Sequence, residues 1–322
     1  MTSFLDKALD AAVVPGFSRI GYAIRSRVAG WDDVSSMNLT GRTVVVTGPT
    51  SGLGAETSRM LARAGAHLVL VGRNPAKCES TADELRGISA SAGVDIVIAE
   101  MGDLGSVASA SREIARRFPR VDALVHNAGA LLQQRETSVQ GIEQTVASHV
   151  VGPHLMTTLL RDALRAAHGR VVTVSSGGMY AAALPQLHKG ESLEMARYDG
   201  TRQYAIAKRA QVTLNEMWAA EEPDVEFVAV HPGWADTPGV QDSIPAFRLV
   251  TRPILRTVAQ GADTIAWLAA VTPLPGQSGT FWCDRAVRAV HKIPSTRAAK
   301  NRAAREALWQ WCNVTTGPFV TA

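Results

Sequence analysis

From about residue 40 the chain alternates two textures, and this alternation restricts it to very few folds. Short β-branched runs stand at Thr43 to Thr47, His67 to Val71, Asp95 to Ala99, Ala123 to His126, Arg170 to Ser175 and Val225 to His231, separated by segments of helix length. Each run is almost continuously apolar, whereas a strand with one wet face would alternate; this is the pattern of strands covered on both sides. Repeated strand–helix–strand units join right-handedly into a parallel sheet with helices on both faces. The expected fold class is therefore α/β, a doubly wound parallel sheet. No Pro/Gly/Ser-rich linker, internal repeat or low-complexity tract divides the chain, which reads as a single domain. Such a sheet binds ligands beyond the carboxyl ends of its strands, so chemistry should be sought just after each run.

The first run is followed by Thr47-Gly48-Pro49-Thr50-Ser51-Gly52-Leu53-Gly54 and then a helix. Glycines there let the backbone turn sharply and approach a pyrophosphate without a Cβ in the way. The helix that follows turns its unpaired N–H groups and positive dipole end to the phosphates. A glycine triplet alone is a weak signal, but between an apolar strand and a helix it marks a dinucleotide loop, here residues Gly48, Thr50, Ser51, Gly52, Leu53 and Gly54. It lacks the Lys-Ser/Thr ending of an ATP-binding loop. The second run ends in Val71-Gly72-Arg73-Asn74, and no acid occurs between Glu56 and Glu79 to bind a ribose 2′-hydroxyl. Arg73 occupies that window, with Asn74 beside it. A guanidinium pairs with a 2′-phosphate, each charged hydrogen bond contributing about 1.5–3 kcal/mol. NADP(H) is thus favoured over NAD(H); the bland alternative is that Arg73 is a solvated surface residue.

Of the four tyrosines, Tyr22, Tyr180, Tyr198 and Tyr204, only Tyr204 has a lysine one helical turn on, Lys208. A free tyrosine has a pKa near 10, and an adjacent ammonium favours its phenolate, as a positively charged nicotinamide ring would. The spacing is common by chance and gains force only downstream of the glycine loop. Tyr198 with Arg202 is a weaker rival pair. The fifth run leads into Ser175-Ser176-Gly177-Gly178, where a hydroxyl can hydrogen-bond a substrate carbonyl and stabilise the charge that develops on it. After the sixth run comes His231-Pro232-Gly233-Trp234-Ala235-Asp236-Thr237.

Taken in order, these segments resemble the short-chain dehydrogenase/reductase family over about residues 40 to 284. The likeness implies a Rossmann-like domain spanning 39–284. It implies that Asp103, with Leu104, lies against the adenine, although Asp103 can equally cap a helix. Asn127-Ala128-Gly129 matches the family's N-A-G motif, which steadies the sheet and lines the nucleotide. By the same resemblance Ser176 is the catalytic serine and Ser175 satisfies local backbone. Tyr204 transfers the proton, Lys208 lowers the tyrosine pKa, and Pro232, Gly233 and Thr237 hold the nicotinamide carboxamide. The nearer likeness is to the retinol-dehydrogenase-like branch. Within it, Val174 through Met179, His231 through Gly239 and Gln260-Gly261-Ala262-Asp263-Thr264 are similar to the dehydrogenase/reductase member-12 type. One departure matters. The family's relay asparagine stands three residues before a glycine, and aligning that glycine with Gly152 puts His149 in its place. Histidine can hold the relay water and also titrates near neutrality. It can also be a structural residue, and the two readings stay open.

Outside this span, residues 1–38 carry Phe17, Ile20, Ile24, Val28 and Trp31 at helical spacing, interleaved with Arg19, Arg25 and Arg27. Two readings are open: a helix packed on the domain or on a second subunit, or a helix lying peripherally on a membrane surface. Residues 285–322 read as a partly helical C-terminal extension. No run is long enough to span a bilayer and no signal peptide is evident. Lys and Arg total 33 against 29 Asp and Glu, a net charge of +4, with no basic stripe for nucleic acid. Cys78, Cys283 and Cys312 are odd in number and far apart, which fits no disulfide framework or metal site and suggests a reducing, cytoplasmic setting. Between Ser176 and Tyr204, Met179, Tyr180, Leu184 and Leu187, with Val240, Ile244 and Phe247 further on, could wall an apolar pocket or simply pack a lid. The function expected is NADP(H)-dependent interconversion of a small apolar alcohol with its aldehyde or ketone, as a carbonyl reductase or alcohol dehydrogenase, with homo-oligomers expected by resemblance. The alternative is a non-catalytic nucleotide-binding redox sensor or scaffold.

Overall fold

A computed structural model describes residues 4–89, 93–188, 191–243, 245–292, 294, 296 and 301–321, apart from the side chains of Asp242, Ser243, Ala246 and Phe247. Three helices open the chain: α1 (Phe4–Ala11), α2 (Val13–Phe17) and α3 (Arg19–Ala29). Then strands and helices alternate: β1 (Thr43–Thr47), α4 (Gly52–Arg63), β2 (His67–Gly72), α5 (Pro75–Ile88), β3 (Val94–Ile98), α6 (Leu104–Arg117) and β4 (Ala123–His126). The short α7 (Gln144–Val146) passes through a π-helical turn at Ala147–Val151 into α8 (Gly152–Ala167), followed by β5 (Arg170–Val174), α9 (Gly200–Glu221) and β6 (Glu226–Val230). Last come α10 (Pro238–Ser243), α11 (Pro245–Thr251), α12 (Val258–Ala270), β7 (Thr280–Cys283), β8 (Ala286–Arg288) and α13 (Arg302–Val320).

The strands form one sheet in the order β3-β2-β1-β4-β5-β6-β7-β8. β1 to β7 are parallel and β8 is antiparallel to β7, with Cys283 opposite Ala286. The order reverses between β1 and β4, which opens a crevice at their carboxyl ends. Val44, Val46, Leu68 and Leu70 pack into one apolar layer and Val45, Val69 and Val71 into the other, so adjacent residues of one strand are buried on opposite faces. Each fully buried aliphatic side chain stabilises the fold by roughly 1.5–3 kcal/mol. That is why the runs are apolar without alternation. The six strands expected from the sequence are present to within a residue or two. β7 and β8 were not anticipated.

The N-terminal segment differs from its expected form. The single apolar stripe from Phe17 to Trp31 is not the buried face: Phe17 is buried, whereas Ile20 and Val28 are exposed. A packing surface of Gly16, Phe17, Gly21 and Arg25 replaces it. A Cβ on Gly21 would meet the Gly16 carbonyl oxygen at 2.9 Å, so α2 and α3 touch backbone to backbone. Of the three interleaved arginines, Arg19 and Arg27 are exposed and Arg25 is not. It is buried, paired with Asp284 at 2.6 Å and with Asp6 at 2.7 Å. At the other end, α13 buries Ala304, Leu308 and Cys312 in the same core as α6, α8 and α9.

Candidate active site

The segments singled out in the sequence meet at the carboxyl edge of the sheet, around the crevice between β1 and β4. Thr47, the last residue of β1, accepts the backbone N–H groups of Asn127 and Ala128 on its hydroxyl, both at 3.0 Å. Asn127 returns the tie, its amide donating to the carbonyls of Thr47 and Gly48 at 3.0 Å each. The glycine loop is therefore pinned to the end of β4. Gly48, with φ +64°, lies so close that a Cβ would come within 2.9 Å of the Ala128 Cα. Any side chain at Gly54 would overlap the Gly48 carbonyl and the Asn127 amide. Such contacts select glycine for space as well as for conformation.

The helix start beyond this loop suits a dinucleotide. Ser51 stands at the N-cap of α4, yet its side chain makes no capping hydrogen bond. The first-turn N–H groups of α4 thus keep their donors and positive dipole end for a ligand. Thr237 faces this loop from the other side: a Cβ at Gly52 would lie 3.6 Å from the Thr237 Cβ. At the end of β2, Asn74 caps α5 by accepting the Lys77 N–H. Arg73 is 77% exposed and pairs with Glu100 at 3.2 Å, so its guanidinium is free to swing toward a ligand at modest cost. Asp103 caps α6 through Gly105 and also takes the Gln140 amide at 2.9 Å, while Leu104 is buried beneath it.

The candidate acid–base residues come from β5, α9 and the π-helical turn. Lys208 is buried, donates from Nζ to the Val174 carbonyl at 2.9 Å and lies 5.2 Å from the centre of the Tyr204 ring. Ser176 begins a short turn, accepting the Gly178 N–H at 3.1 Å, and hydrogen-bonds with Tyr204. The hydroxyl of Ser175 donates to the Lys208 carbonyl at 3.0 Å. The rival Tyr198 donates to the Leu132 carbonyl at 3.1 Å, which gives it a role in holding the loop after β4.

The electrostatics here differ from the expectation that the ammonium would lower the tyrosine pKa. Burial pushes Tyr204 up to about 12, and the Ser176 hydrogen bond offsets this only in part. Burial also brings Lys208 down to about 7. Desolvation disfavours the charged form of both groups.

His149 sits on the π-helical turn, a distortion frequent at functional sites. It is buried, its ring edge-on to Tyr204 with centroids 5.5 Å apart. Nδ1 hydrogen-bonds the Thr145 carbonyl at 2.9 Å, which makes Nδ1 the protonated nitrogen and leaves Nε2 as an acceptor. Burial and the nearby Lys208 hold its pKa well below the usual histidine value. At near-neutral pH it is a neutral imidazole, not a titrating one. A side chain at Gly129 would overlap His149 Nε2, so the N-A-G glycine makes room for this ring.

Sequence reasoning missed what supports the Ser176 and Pro232 segments. Gly177 donates its N–H to Nδ1 of His231 at 3.0 Å. Phe17 packs against that imidazole, and its carbonyl accepts the Trp234 N–H at 2.9 Å. Arg256, buried, reaches the carbonyls of Phe17 at 3.0 Å and Pro232 at 3.3 Å and is gripped by Asp284 at 2.6 Å. Asp284 keeps a lowered pKa despite burial because Arg256 and Arg25 both face it. The N-terminal helices are thus bound into the edge of the site. No local pattern signals this, since the partners are distant in sequence.

The proposed pocket wall is also revised. Met179 and Tyr180 are buried with Phe17, Val212 and Phe281, and Leu184 and Leu187 belong to the main core. These four side chains pack the lid rather than line an open cleft. Ile244 and the side chain of Phe247 lie outside the described residues; Val240 is half-buried.

Comparison with known proteins agrees with this architecture. The short chain dehydrogenase family matches residues 42–186. Dehydrogenase/reductase SDR family member 12 of Bos taurus is 34% identical over 295 residues, covering 91% of each chain. Retinol dehydrogenase 13 of Mus musculus is 28% identical over 301 residues, covering 89% of this chain and 87% of its own. Among solved structures, one from Beutenbergia cavernae, described as a candidate NAD(P)-dependent gluconate 5-dehydrogenase with NADP bound at low occupancy, superposes with TM-score 0.59 at 26% identity, over 72% of this chain and 91% of that one. With its doubly wound sheet and this degree of likeness along nearly its whole length, the chain belongs to the short-chain dehydrogenase/reductase family, oxidoreductases acting on CH–OH donors.

Proposed function

We propose that the chain interconverts an apolar alcohol and its aldehyde or ketone with NADP(H). The observation that carries this reading is the convergence of Ser176, Tyr204 and Lys208 at the carboxyl edge of the sheet, with Lys208 5.2 Å from the Tyr204 ring centre. When bound along the glycine loop, the nicotinamide supplies or takes the hydride. The chain's own residues do the rest. Gly48 to Gly54, the free first turn of α4 and Asn127-Ala128-Gly129 bind the dinucleotide, with Asp103 and Leu104 toward its adenine end. Pro232, Gly233 and Thr237 orient the ring. Ser176 hydrogen-bonds the substrate oxygen, Tyr204 gives or takes its proton, and Lys208 supports the charge on the phenol. General acid–base transfer of this kind contributes about 10²–10⁴-fold.

Arg73 favours NADP(H) because no carboxylate ends β2 to receive a free 2′-hydroxyl. Glu100, its present partner, is the group a 2′-phosphate would displace. The apolar substrate class draws support from Trp234 and Val240, both partly buried beside the nicotinamide turn. Peripheral membrane contact belongs to the same reading. Val13, Val14, Ile20 and Val28 are exposed on the N-terminal helices, with Lys7, Arg19 and Arg27 also exposed to meet anionic headgroups. No helix among the described residues is long and apolar enough to cross a membrane.

The test is NADPH consumption with hexanal, decanal, acetophenone and all-trans-retinal, using Tyr204→Phe as control. Turnover abolished by the control supports the reading. Dinucleotide binding with no turnover on any carbonyl would instead favour a redox sensor.

A further inference from the structure

The loop after β4 ends in a tight hairpin whose arms meet at Thr137 and Glu143. At its tip Gly141, with φ +77°, donates its N–H to the Ser138 carbonyl at 2.9 Å. The Ile142 carbonyl accepts the Ser138 N–H at 2.8 Å, and the Glu136 carbonyl accepts the Gln144 N–H at 3.0 Å. These bonds shape the hairpin without using the side chain of Gln140, which reaches across to the start of α6. There it makes two hydrogen bonds. Its Oε1 accepts the Leu104 N–H at 3.2 Å, and its Nε2 donates to Oδ1 of Asp103 at 2.9 Å. The amide can sit only this way round, because the reverse would set donor against donor and acceptor against acceptor.

Asp103 and Leu104 are the residues assigned above to the adenine end of the dinucleotide. Their place suits that role. A dinucleotide with its pyrophosphate on the first turn of α4 and its ribose at the end of β2 extends its base toward the next strand, β3, and Asp103 stands just beyond β3. Adenine carries a donor, its 6-amino group, and beside it the acceptor N1, both attached to one ring carbon. A primary amide likewise carries an acceptor and a donor on one carbon. Gln140 therefore presents to Leu104 and Asp103 the same acceptor–donor pair, with nearly the same spacing, as the edge of adenine. The Leu104 N–H has a single proton to give. Gln140 is only half-buried, so its side chain can swing into water and leave the hairpin's backbone bonds standing.

We propose that Gln140 holds the adenine subsite as a stand-in for the base, and that the dinucleotide binds by displacing it. The proposal rests on the reading of the Gly48–Gly54 loop, Asp103 and Leu104 as a dinucleotide site. The exchange is of like for like: two hydrogen bonds to the amide are given up and two to adenine are formed. Adenine thus gains less than it would on an unpaired edge, and the apparent affinity is reduced by the fraction of molecules in which the amide is seated. Gln140 also keeps the Asp103 and Leu104 groups paired before the nucleotide arrives, when leaving them unmet would be costly. It is a residue that sets how tightly the cofactor is held while touching neither the nicotinamide nor the substrate.

Nucleotide affinity, read from nicotinamide fluorescence with no substrate present, tests this. Gln140→Ala and Gln140→Met, the second keeping the bulk without the amide, should each lower the Kd of NADPH and of NADH about three- to tenfold. The factor should be the same for both, since they share the adenine. Reduced nicotinamide mononucleotide, which has no adenine, should bind the parent chain and the variants alike. If Gln140 merely anchored the hairpin, the sign would be opposite, because losing the anchor weakens binding. Dinucleotide Kd values raised or unchanged in both variants would overturn the proposal, as would equal tightening of the mononucleotide. A crystal structure with NADPH provides the second check. It should show the Leu104 N–H on adenine N1 with Gln140 turned outward; an amide still seated on Asp103 and Leu104 beside bound nucleotide overturns the exchange. If neither dinucleotide binds the parent or the variants, the dinucleotide reading itself falls and the proposal with it, whereas tight binding that Gln140 does not oppose defeats the proposal alone.

Discussion

Phe17 sets its ring edge-on against the imidazole of His231, centroids 4.4 Å apart, and so joins the first helices of the chain to the loop that carries Ser176. Removing the ring leaves a void beside a buried histidine. Phe17→Ala should cost about 3–5 kcal/mol of stability, the usual range for a buried phenylalanine. It should also lower kcat more than it raises KM, because Gly177 and the Pro232–Thr237 turn lose a common support. Urea unfolding alongside steady-state kinetics checks both, and normal kcat in a destabilised variant would separate the segment from catalysis.

Tyr204→Phe removes one oxygen from a helix held by many other contacts. Turnover should fall about 10²–10⁴-fold with little change in dinucleotide affinity. Lys208→Met should fall as far and also weaken NADPH binding. Stopped-flow measurement of nucleotide binding next to turnover distinguishes the two.

Arg73→Ala should raise the NADPH Kd by about 10- to 150-fold, the equivalent of one charged hydrogen bond of roughly 1.5–3 kcal/mol, and leave NADH unchanged. Equal losses for both nucleotides would assign Arg73 to general charge rather than to the 2′-phosphate. Glu100→Gln should act in the opposite direction, since it releases the guanidinium from its present ion pair.

Four buried histidines make stability depend on pH. Burial lowers His126 and His231 to about 3 and His154 to about 4, and places His149 well below its usual value. In the unfolded chain each titrates near 6.5. The unfolded state therefore binds more protons between those limits. The stabilising contribution is complete above about pH 6.5 and declines as pH falls toward the folded values, by up to about 1.4 kcal/mol per pH unit for each ring. Calorimetry from pH 7.5 to 4.5 should show Tm dropping steeply below 6.5; a flat profile would mean that the rings bind protons as readily in the folded protein as in the unfolded chain.

The N-terminal helices provide a final expectation. Vesicles containing phosphatidylserine should retain the protein at low salt, and Val13→Asp with Ile20→Asp should release it without loss of soluble NADPH turnover. Equal sedimentation of the variant and the parent chain would remove the membrane from the reading.

What was legible in the sequence follows from how far each signal reaches. β1 to β6 could be read because burial on both faces leaves an unbroken apolar run. The glycine loop and the N-A-G segment are local demands of backbone packing, written at the positions where they act. β7 escaped because Thr280–Cys283 is only a short run, and β8 because Ala286–Arg288 is a single antiparallel partner with a half-polar face. Leu184 and Leu187 illustrate a different limit. Their apolarity is plain, but whether an apolar residue lines a cleft or fills a core depends on distant elements. The Arg25–Asp284 pair spans 259 positions and leaves no trace in any window of sequence. The raised Tyr204 and lowered Lys208 values are of the same kind, since spacing places the two groups together but does not report how dry their surroundings are.

The Asp284 ion-pair node has a consequence for how the protein comes into being. Arg25 leaves the ribosome with Asp6 already ahead of it, but its second carboxylate, Asp284, comes only near the end of translation. Contacts of such long reach close late because the loop entropy is spent before any contact rewards it. The glycine loop and the first strands can be in place long before the edge that supports Ser176. The edge that supports the Ser176 segment is therefore among the last parts of this fold to close during synthesis.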